Sequence, residues 1–252
     1  MLTDVVVQAV RKAEDLALCK MKNLGKIREK SHRDFVTEVD EEIEKIIITH
    51  IRERLPNSKF YGEETGRQGE GKYLFVIDPI DATTNYIKGI PFFDVSISVY
   101  EENKNILGVI ACPILGEIYI AERGKGAYLN GDRIHVSDVR DLSKAVVGYN
   151  RSSHPLEIIE SSKLILSKIL DNAATLRIFG TGGLDYCYLA RGCLDVCITP
   201  LAEPFHSAGY IIMEEAGAKV TDYQGKPHDL ESTTIVSANP ILHSQVLKIV
   251  NE

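Results

Sequence analysis

The sequence predicts a mixed α/β (α+β) fold in two parts, and three observations support this prediction. Two amphipathic helical patterns open the 252-residue chain, and a run of short strand-like patterns follows them. Helical and strand-like patterns then alternate to the end. Helices ahead of consecutive strands favour a largely antiparallel sheet, whereas alternation favours an α/β arrangement. We therefore expect an α+β part over residues 1–137 and an α/β part over residues 138–252.

The composition is that of an ordinary folded protein. Hydrophobic residues make up 44% of the chain and charged residues 26%, which supports a packed core. The net charge of −7 argues against nucleic-acid binding, because phosphate backbones select basic surfaces. No apolar run approaches the ~18 residues of a membrane span, and the N-terminus does not resemble a secretory signal. We expect a cytoplasmic protein whose five cysteines are reduced, since their spacings match no metal motif.

The first two elements are predicted to be helices. Residues 3–21 carry apolar side chains at helical spacing. Residues 38–54 do the same, with Thr37 suited to cap the start and Pro56 just past the end. The buried stripe of this second helix is expected to consist of Val39, Ile43, Ile46, Ile47 and Leu55.

Short strands are predicted next. They cover residues 73–77, 93–100, 107–112 and 117–121. Asn130 and Gly131 lie between apolar positions, which predicts a β-hairpin over residues 128–134. The polar, interrupted segment over residues 137–153 favours a join between the two parts, and we place it near residues 137–143.

The second part is predicted to alternate helices and strands. Its helices are expected over residues 156–170, 184–191, 207–216 and 241–250. Its strands are expected over residues 175–179, 194–199, 219–221 and 234–237. This order is typical of an α/β arrangement.

One strand ends in a pattern that suits metal and phosphate binding. An apolar run leads to Asp78 and Asp81, and the chain turns between them at Pro79. Hard divalent cations prefer carboxylate and carbonyl oxygens, and the free N–H groups of a helix that begins near Thr83 favour phosphate oxygens. The two aspartates also suit ordinary turn and cap positions. This pattern alone leaves both interpretations open.

Further motifs decide between these interpretations. They are Asp34, Val36, Thr37, Asp40, then Gly62, Glu63, Glu64, and then Asp78, Pro79, Ile80, Asp81, Thr83, Asn85. In order and spacing they resemble the signatures of the inositol monophosphatase family, which belongs to the magnesium-dependent, lithium-sensitive phosphatases. The resemblance continues through residues 89–91, 124–131, 180–181, 208–209 and 214–222 and so covers almost the whole chain. It implies a layered αβαβα sandwich with the site between the two parts.

The resemblance also implies a site for two Mg²⁺ ions. Glu63, Asp78 and the backbone carbonyl of Ile80 would ligate one ion. Asp78 would bridge to a second ion, which also takes Asp81. In two-metal hydrolysis one cation activates the attacking water and the other stabilises the leaving oxygen.

The remaining roles implied by the resemblance concern water and phosphate. Thr83, hydrogen-bonded to Asp40, would act with Glu63 on the attacking water. The backbone N–H groups of Ala82 and Thr83 would hold the phosphate. Lys30 would add positive charge to the phosphate pocket, or it is simply a solvated lysine.

The chain departs from the family pattern at a metal ligand. His206 stands where the family has an aspartate that ligates the second ion. Imidazole is a softer, neutral ligand that suits Zn²⁺ or Mn²⁺ better than Mg²⁺. Three interpretations compete: His206 ligates a transition metal, it contacts substrate phosphate when protonated, or the site is impaired. We expect a weakened but working site.

Two smaller departures bear on the backbone and the substrate. Ala82 replaces a glycine, which costs about 1 kcal/mol if its φ is positive. Thr199 replaces a glutamate that contacts inositol hydroxyls in animal members, so inositol is not fixed as the substrate. The turn of Gly180, Thr181 and Gly182 is expected to contact substrate, although a tight strand-to-helix turn would also require glycine.

Together with the resemblance, these residues predict a phosphatase. The expected reaction is hydrolysis of a small phosphate monoester, inositol 1-phosphate or fructose 1,6-bisphosphate, by direct attack of metal-activated water. A homodimer is expected from the resemblance. One alternative is a phosphatase of the same superfamily acting on a nucleotide 3'-phosphate or histidinol phosphate. The other is a catalytically impaired protein that binds phosphate esters.

Overall fold

The computed structural model describes residues 1–31, 34–150 and 156–251. Its helices are α1 (Leu2–Lys20), α2 (Glu38–Arg54), α3 (Thr83–Lys88), α4 (Leu156–Asn172), α5 (Gly182–Ala190), α6 (Ser207–Glu215) and α7 (Pro240–Asn251). Its strands in the first half are β1 (Ile27–Ser31), β2 (Asp34–Thr37), β3 (Ser58–Gly62), β4 (Gly66–Gln68), β5 (Tyr73–Asp81), β6 (Asp94–Glu101), β7 (Lys104–Cys112), β8 (Glu117–Glu122), β9 (Gly126–Leu129) and β10 (Asp132–Ile134). The later strands are β11 (Val146–Tyr149), β12 (Thr175–Arg177), β13 (Val196–Thr199), β14 (Lys219–Thr221) and β15 (Ile235–Ala238).

Helix α2 begins as its sequence predicts. The hydroxyl of Thr37 accepts the N–H of Val39 at 3.1 Å, and the N–H of Thr37 donates to the Asp40 carboxylate at 2.9 Å. This reciprocal capping satisfies two groups that a helix start leaves free. It also fixes Asp40, which is 1% exposed, at one point of the chain.

The predicted buried stripe of α2 needs correction. Ile46 and Leu55 are only half-buried. Ile48 and Ile51 are buried instead, together with the expected Ile43. The reason is that α2 packs on both α1 and the sheet, so its apolar face is wider than one stripe.

The first sheet has eight strands in the order β10-β9-β8-β7-β6-β5-β3-β4. Its neighbours pair antiparallel except for the parallel pair β3 and β5, so the predicted antiparallel character is confirmed. The predicted hairpin appears as β9 and β10. Strands β1 to β4 were not predicted because they are three to five residues long and each carries at most two apolar side chains.

Strand β5 runs further than predicted, and its pairing is irregular at the end. Asp78 lies opposite Ser96, whereas Asp81 lies opposite Asp94. Three steps along β5 thus match two steps along β6, which is the signature of a β-bulge. The bulge holds Pro79, which has no N–H to give to a ladder.

The second sheet has five strands in the order β12-β11-β13-β15-β14. Strand β11 pairs parallel with β12 and β13, and the remaining pairs are antiparallel. Strand β11 lies within the polar, interrupted segment 137–153 but after the join that we place near residues 137–143. The two valines and the tyrosine of this four-residue strand are too few to stand out between polar neighbours.

The layers form the expected αβαβα sandwich. Helices α1 and α2 cover one face of the first sheet. Helices α5 and α6 fill the space between the two sheets, and α4 and α7 cover the outer face of the second sheet. All five cysteines are free, as predicted. In the described part of the chain, no helix is long and apolar enough to cross a membrane.

Candidate functional site

Two carboxylates and one imidazole meet where β5 ends. Asp78, Asp81 and His206 each offer a ligand atom, and these atoms lie within 4.8 Å of one another. His206 comes from the turn Pro204–His206, immediately before α6. Asp78 is 3% exposed, and its Oδ1 has no hydrogen-bond partner among the described residues; nor has Nδ1 of His206. Unpartnered buried oxygens beside an imidazole suit a divalent cation.

The charge around Asp78 also favours a bound cation. Burial, followed by the neighbouring charges of Glu63, Asp81 and Asp94, raises the pKa of Asp78 well above its ordinary value. Desolvation and like charge both disfavour an ionised carboxylate. A bound cation would reverse both penalties.

Glu63 and Lys30 form the other side of the site. Lys30 Nζ donates to Glu63 Oε1 at 2.9 Å and also pairs with the Glu64 carboxylate. Lys30 is therefore ion-paired and not simply solvated. Burial raises the pKa of Glu63, although Lys30 opposes this. Burial also raises the pKa of Glu64 to about 7.

Sequence reasoning missed the residue that holds Glu63 in its turn. Glu44 on α2 is fully buried. Its carboxylate accepts the N–H of Glu64 at 2.8 Å and the N–H of Thr65 at 3.0 Å, together with the Thr65 hydroxyl. A side chain at Gly62 would collide with this carboxylate. The only signal in the sequence was an acidic residue on the apolar face of α2.

Thr83 lies at the start of α3 and contacts Asp40. Its hydroxyl is 3.1 Å from Asp40 Oδ1, which is the contact that the resemblance implies, and 3.1 Å from the carbonyl of Ile80. Burial raises the pKa of Asp40. Ala82 has φ of 68°, in the left-handed region. The condition under which alanine is strained at this position is thus met.

The glycine turn, residues 180–183, forms hydrogen bonds to Asp81. The N–H of Gly183 donates to Asp81 Oδ2 at 2.7 Å, and the Thr181 hydroxyl lies 2.9 Å from the same oxygen. Thr181 also caps α5 by accepting the N–H of Leu184 at 3.0 Å. Gly180 has φ of 79°, which a tight turn requires. Gly180, Thr181 and Gly182 therefore form a tight helix-starting turn that also touches a predicted metal ligand.

Two other buried carboxylates were missed. Asp94 is fully buried, and its Oδ2 lies 2.8 Å from the Thr181 hydroxyl. Asp185 is 1% exposed, and neither of its carboxylate oxygens has a hydrogen-bond partner within the described ranges. Burial, and then the charge of Asp81, raises the pKa of Asp185 well above its ordinary value. In the sequence, each is a single acidic residue within an apolar run, which is a weak signal.

Thr199 does not reach the site. It is fully buried, and its hydroxyl pairs with the Tyr186 hydroxyl at 2.8 Å. The position that carries a substrate-binding glutamate in animal members is here part of the core.

Comparisons with known proteins show the family and the fold of the chain. The model of the inositol monophosphatase family matches residues 1–252. The fructose-1,6-bisphosphatase/inositol-1-monophosphatase of Thermotoga maritima is 33% identical over 251 residues, covering 99% of this chain and 95% of that protein. The Nus factor SuhB of Vibrio cholerae is 35% identical over 256 residues, covering 100% and 96%. The solved structure of extragenic suppressor protein suhB from Bartonella henselae has a TM-score of 0.95 at 30% identity, covering 99% of this chain and 98% of that one.

Proposed function

Because this chain belongs to the inositol monophosphatase family, we propose that it is a metal-dependent phosphatase that hydrolyses a small phosphate monoester. The single observation that carries the proposal is the cluster of Asp78, Asp81 and His206, whose ligand atoms lie within 4.8 Å of one another. The retained pair of Thr83 and Asp40 beside it supports hydrolysis by water.

The donor set suits divalent cations. Glu63, Asp78 and the carbonyl of Ile80 would hold one ion, and Asp78, Asp81 and His206 the other. Such ions supply positive charge that polarises the attacking water and stabilises the leaving oxygen. Mg²⁺ suits the carboxylates, whereas His206 favours Mn²⁺ or Zn²⁺ at the second position.

The protein's own groups orient the reactants. Asp40 would accept a hydrogen bond from the Thr83 hydroxyl, which leaves the lone pairs of that oxygen free to accept a hydrogen bond from the attacking water. Glu63 would take the proton from this water. The N–H groups of Ala82 and Thr83 would bind phosphate oxygens, and Lys30 would attract the anion.

The finer parts of the proposal concern substrate and assembly. Inositol 1-phosphate and fructose 1,6-bisphosphate are the substrates that we propose, in line with the name of the Thermotoga maritima relative. Thr199, in place of the glutamate that the resemblance implies, removes one group that would select inositol. We also propose a cytoplasmic homodimer in which residues 1–137 and 138–252 of each chain both contribute to the site.

Phosphate release tests the proposal. The wild type is titrated with Mg²⁺, Mn²⁺ and Zn²⁺ on both substrates and on a nucleotide 3'-phosphate. Glu63→Gln should remove activity, while Glu70→Gln, an exposed position in the next turn, should retain it. A preference for the nucleotide would replace the proposed substrates, and no turnover with any metal would reject the phosphatase.

A second candidate is a protein that binds phosphate esters without turnover. His206 in place of an aspartate and the left-handed Ala82 favour it, and one relative is named as a Nus factor. Turnover by His206→Asp with an inactive wild type would support this candidate. A wild type that is active, with His206→Asp reaching half-maximal activity at about tenfold less Mg²⁺, would support the enzyme.

A further inference from the structure

Asp94 lies directly behind a proposed metal ligand. It is the cross-strand partner of Asp81 in the pairing of β5 with β6, and it is fully buried. Like charges opposite each other across two strands destabilise a sheet. A buried carboxylate at this point is therefore unfavourable by itself, which indicates that Asp94 has a functional role.

One hydroxyl connects the two carboxylates. Thr181 Oγ1 lies 2.9 Å from Asp81 Oδ2 and 2.8 Å from Asp94 Oδ2. This hydroxyl has a single proton, so the two aspartates share one donor. Asp94 Oδ1 has no hydrogen-bond partner in the described part of the chain. These contacts join the first sheet to the turn that begins α5.

The start of α5 makes room for Asp94 and for His206. A Cβ on Gly183 would overlap the Asp94 carboxylate, and a Cβ on Gly182 would lie 3.1 Å from His206 Nε2. Neither glycine has a positive φ, so the backbone conformation does not require them. Two glycines in a first turn weaken a helix. The close approach of the Asp94 and His206 side chains explains why glycine occupies both positions.

We propose that Asp94 is a positioning residue for Asp81. Its carboxylate accepts from the Thr181 hydroxyl and so fixes the glycine turn, whose Gly183 N–H donates to Asp81 at 2.7 Å. These contacts fix the ligand's orientation and tie ion binding to the position of the glycine turn. The inference rests on the proposed function, because Asp81 is a ligand only if the site binds metal. Groups that hold metal ligands in place commonly change ion affinity by about 10-fold to 100-fold when removed.

Mn²⁺ binding tests the role without turnover. Binding is followed by electron paramagnetic resonance of free Mn²⁺ on wild type, Asp94→Ala and Asp94→Asn. Asp94→Ala should raise the Kd for Mn²⁺ at the proposed site that contains Asp81 about tenfold or more. Asp94→Asn should stay within about threefold of wild type, because its amide oxygen still accepts from Thr181. An unchanged Kd in Asp94→Ala, or equal losses in both variants, would overturn the inference.

A second pair of variants applies if Asp94→Ala does not fold. Thr181→Val removes the shared hydroxyl and should weaken Mn²⁺ binding, whereas Thr181→Ser should restore it. Equal binding by these two would overturn the inference. The outcome is separable from the proposed function. A wild type that binds Mn²⁺ without releasing phosphate would contradict the proposed phosphatase activity alone. Turnover by a wild type whose Mn²⁺ affinity is changed by neither pair of variants would contradict the role of Asp94 alone.

Discussion

The two sides of the site differ in how their negative charge is balanced. On the Glu63 side, Lys30 pairs with the carboxylates and Glu44 anchors the turn through backbone N–H groups. On the Asp81 side, Asp78 and Asp94 are buried against like charge. The first side is organised by the protein itself. The second needs a cation to become favourable, so metal should change it more.

The largest effect is expected from a change at Asp78, the carboxylate that both sides of the site share. Asp78→Asn should lower phosphate release about 10³-fold or more, because both proposed ions lose a ligand charge. The metal-free variant should not melt at a lower temperature than wild type, since one buried like charge is gone. Phosphate assays and thermal melts measure both effects.

Asp132→Asn provides the control for this prediction, because Asp132 is exposed on β10. It should match wild type in both measurements. Near-wild-type turnover of Asp78→Asn would contradict the shared-ligand assignment and with it the comparison of the two sides.

The next effect tests whether the Glu63 side is organised without metal. Glu44→Gln leaves one acceptor for two backbone N–H groups, so the turn that carries Glu63 should loosen and kcat should fall about tenfold. Steady-state kinetics at saturating metal measure this change. Glu53→Gln on the exposed face of the same helix should have no effect. A kcat equal to that of wild type at saturating metal, with a loss only at low metal, would show that this side, too, is organised by the ion.

The smallest effect concerns the backbone between the two sides. Ala82→Gly should stabilise the protein by about 1 kcal/mol, because glycine adopts a φ of 68° without strain. Urea unfolding of metal-free protein measures this change. Ala145, with φ of −80°, supplies the matched control, and Ala145→Gly should destabilise. A destabilised Ala82→Gly would mean that φ is negative in solution.

Much of the fold and the local part of the site could be predicted from the sequence. Helix α2 was predicted over residues 38–54, with Thr37 as its cap, because caps and periodicity are local signals. The spacing of Asp78 and Asp81 along one strand left metal ligands and turn residues both open, and the family resemblance decided between them. Asp94 and Glu44 were not predicted, since the residues they serve, Thr181 and Thr65, lie 87 and 21 positions away. Their roles depend on packing between elements, which no local pattern records.

The bulge at the end of β5 determines which changes in the gene this site can survive. In a regular strand, residues three apart point to opposite faces, so Asp78 and Asp81 would diverge. The extra residue between them brings both to one side. Gain of one codon between Asp78 and Asp81, with the bulge retained, would therefore send Asp81 to the opposite face while keeping every other residue. Loss of one codon there would leave the two aspartates two residues apart, on one face of a regular strand. The segment should accept exchanges of side chains in evolution far more readily than an added residue.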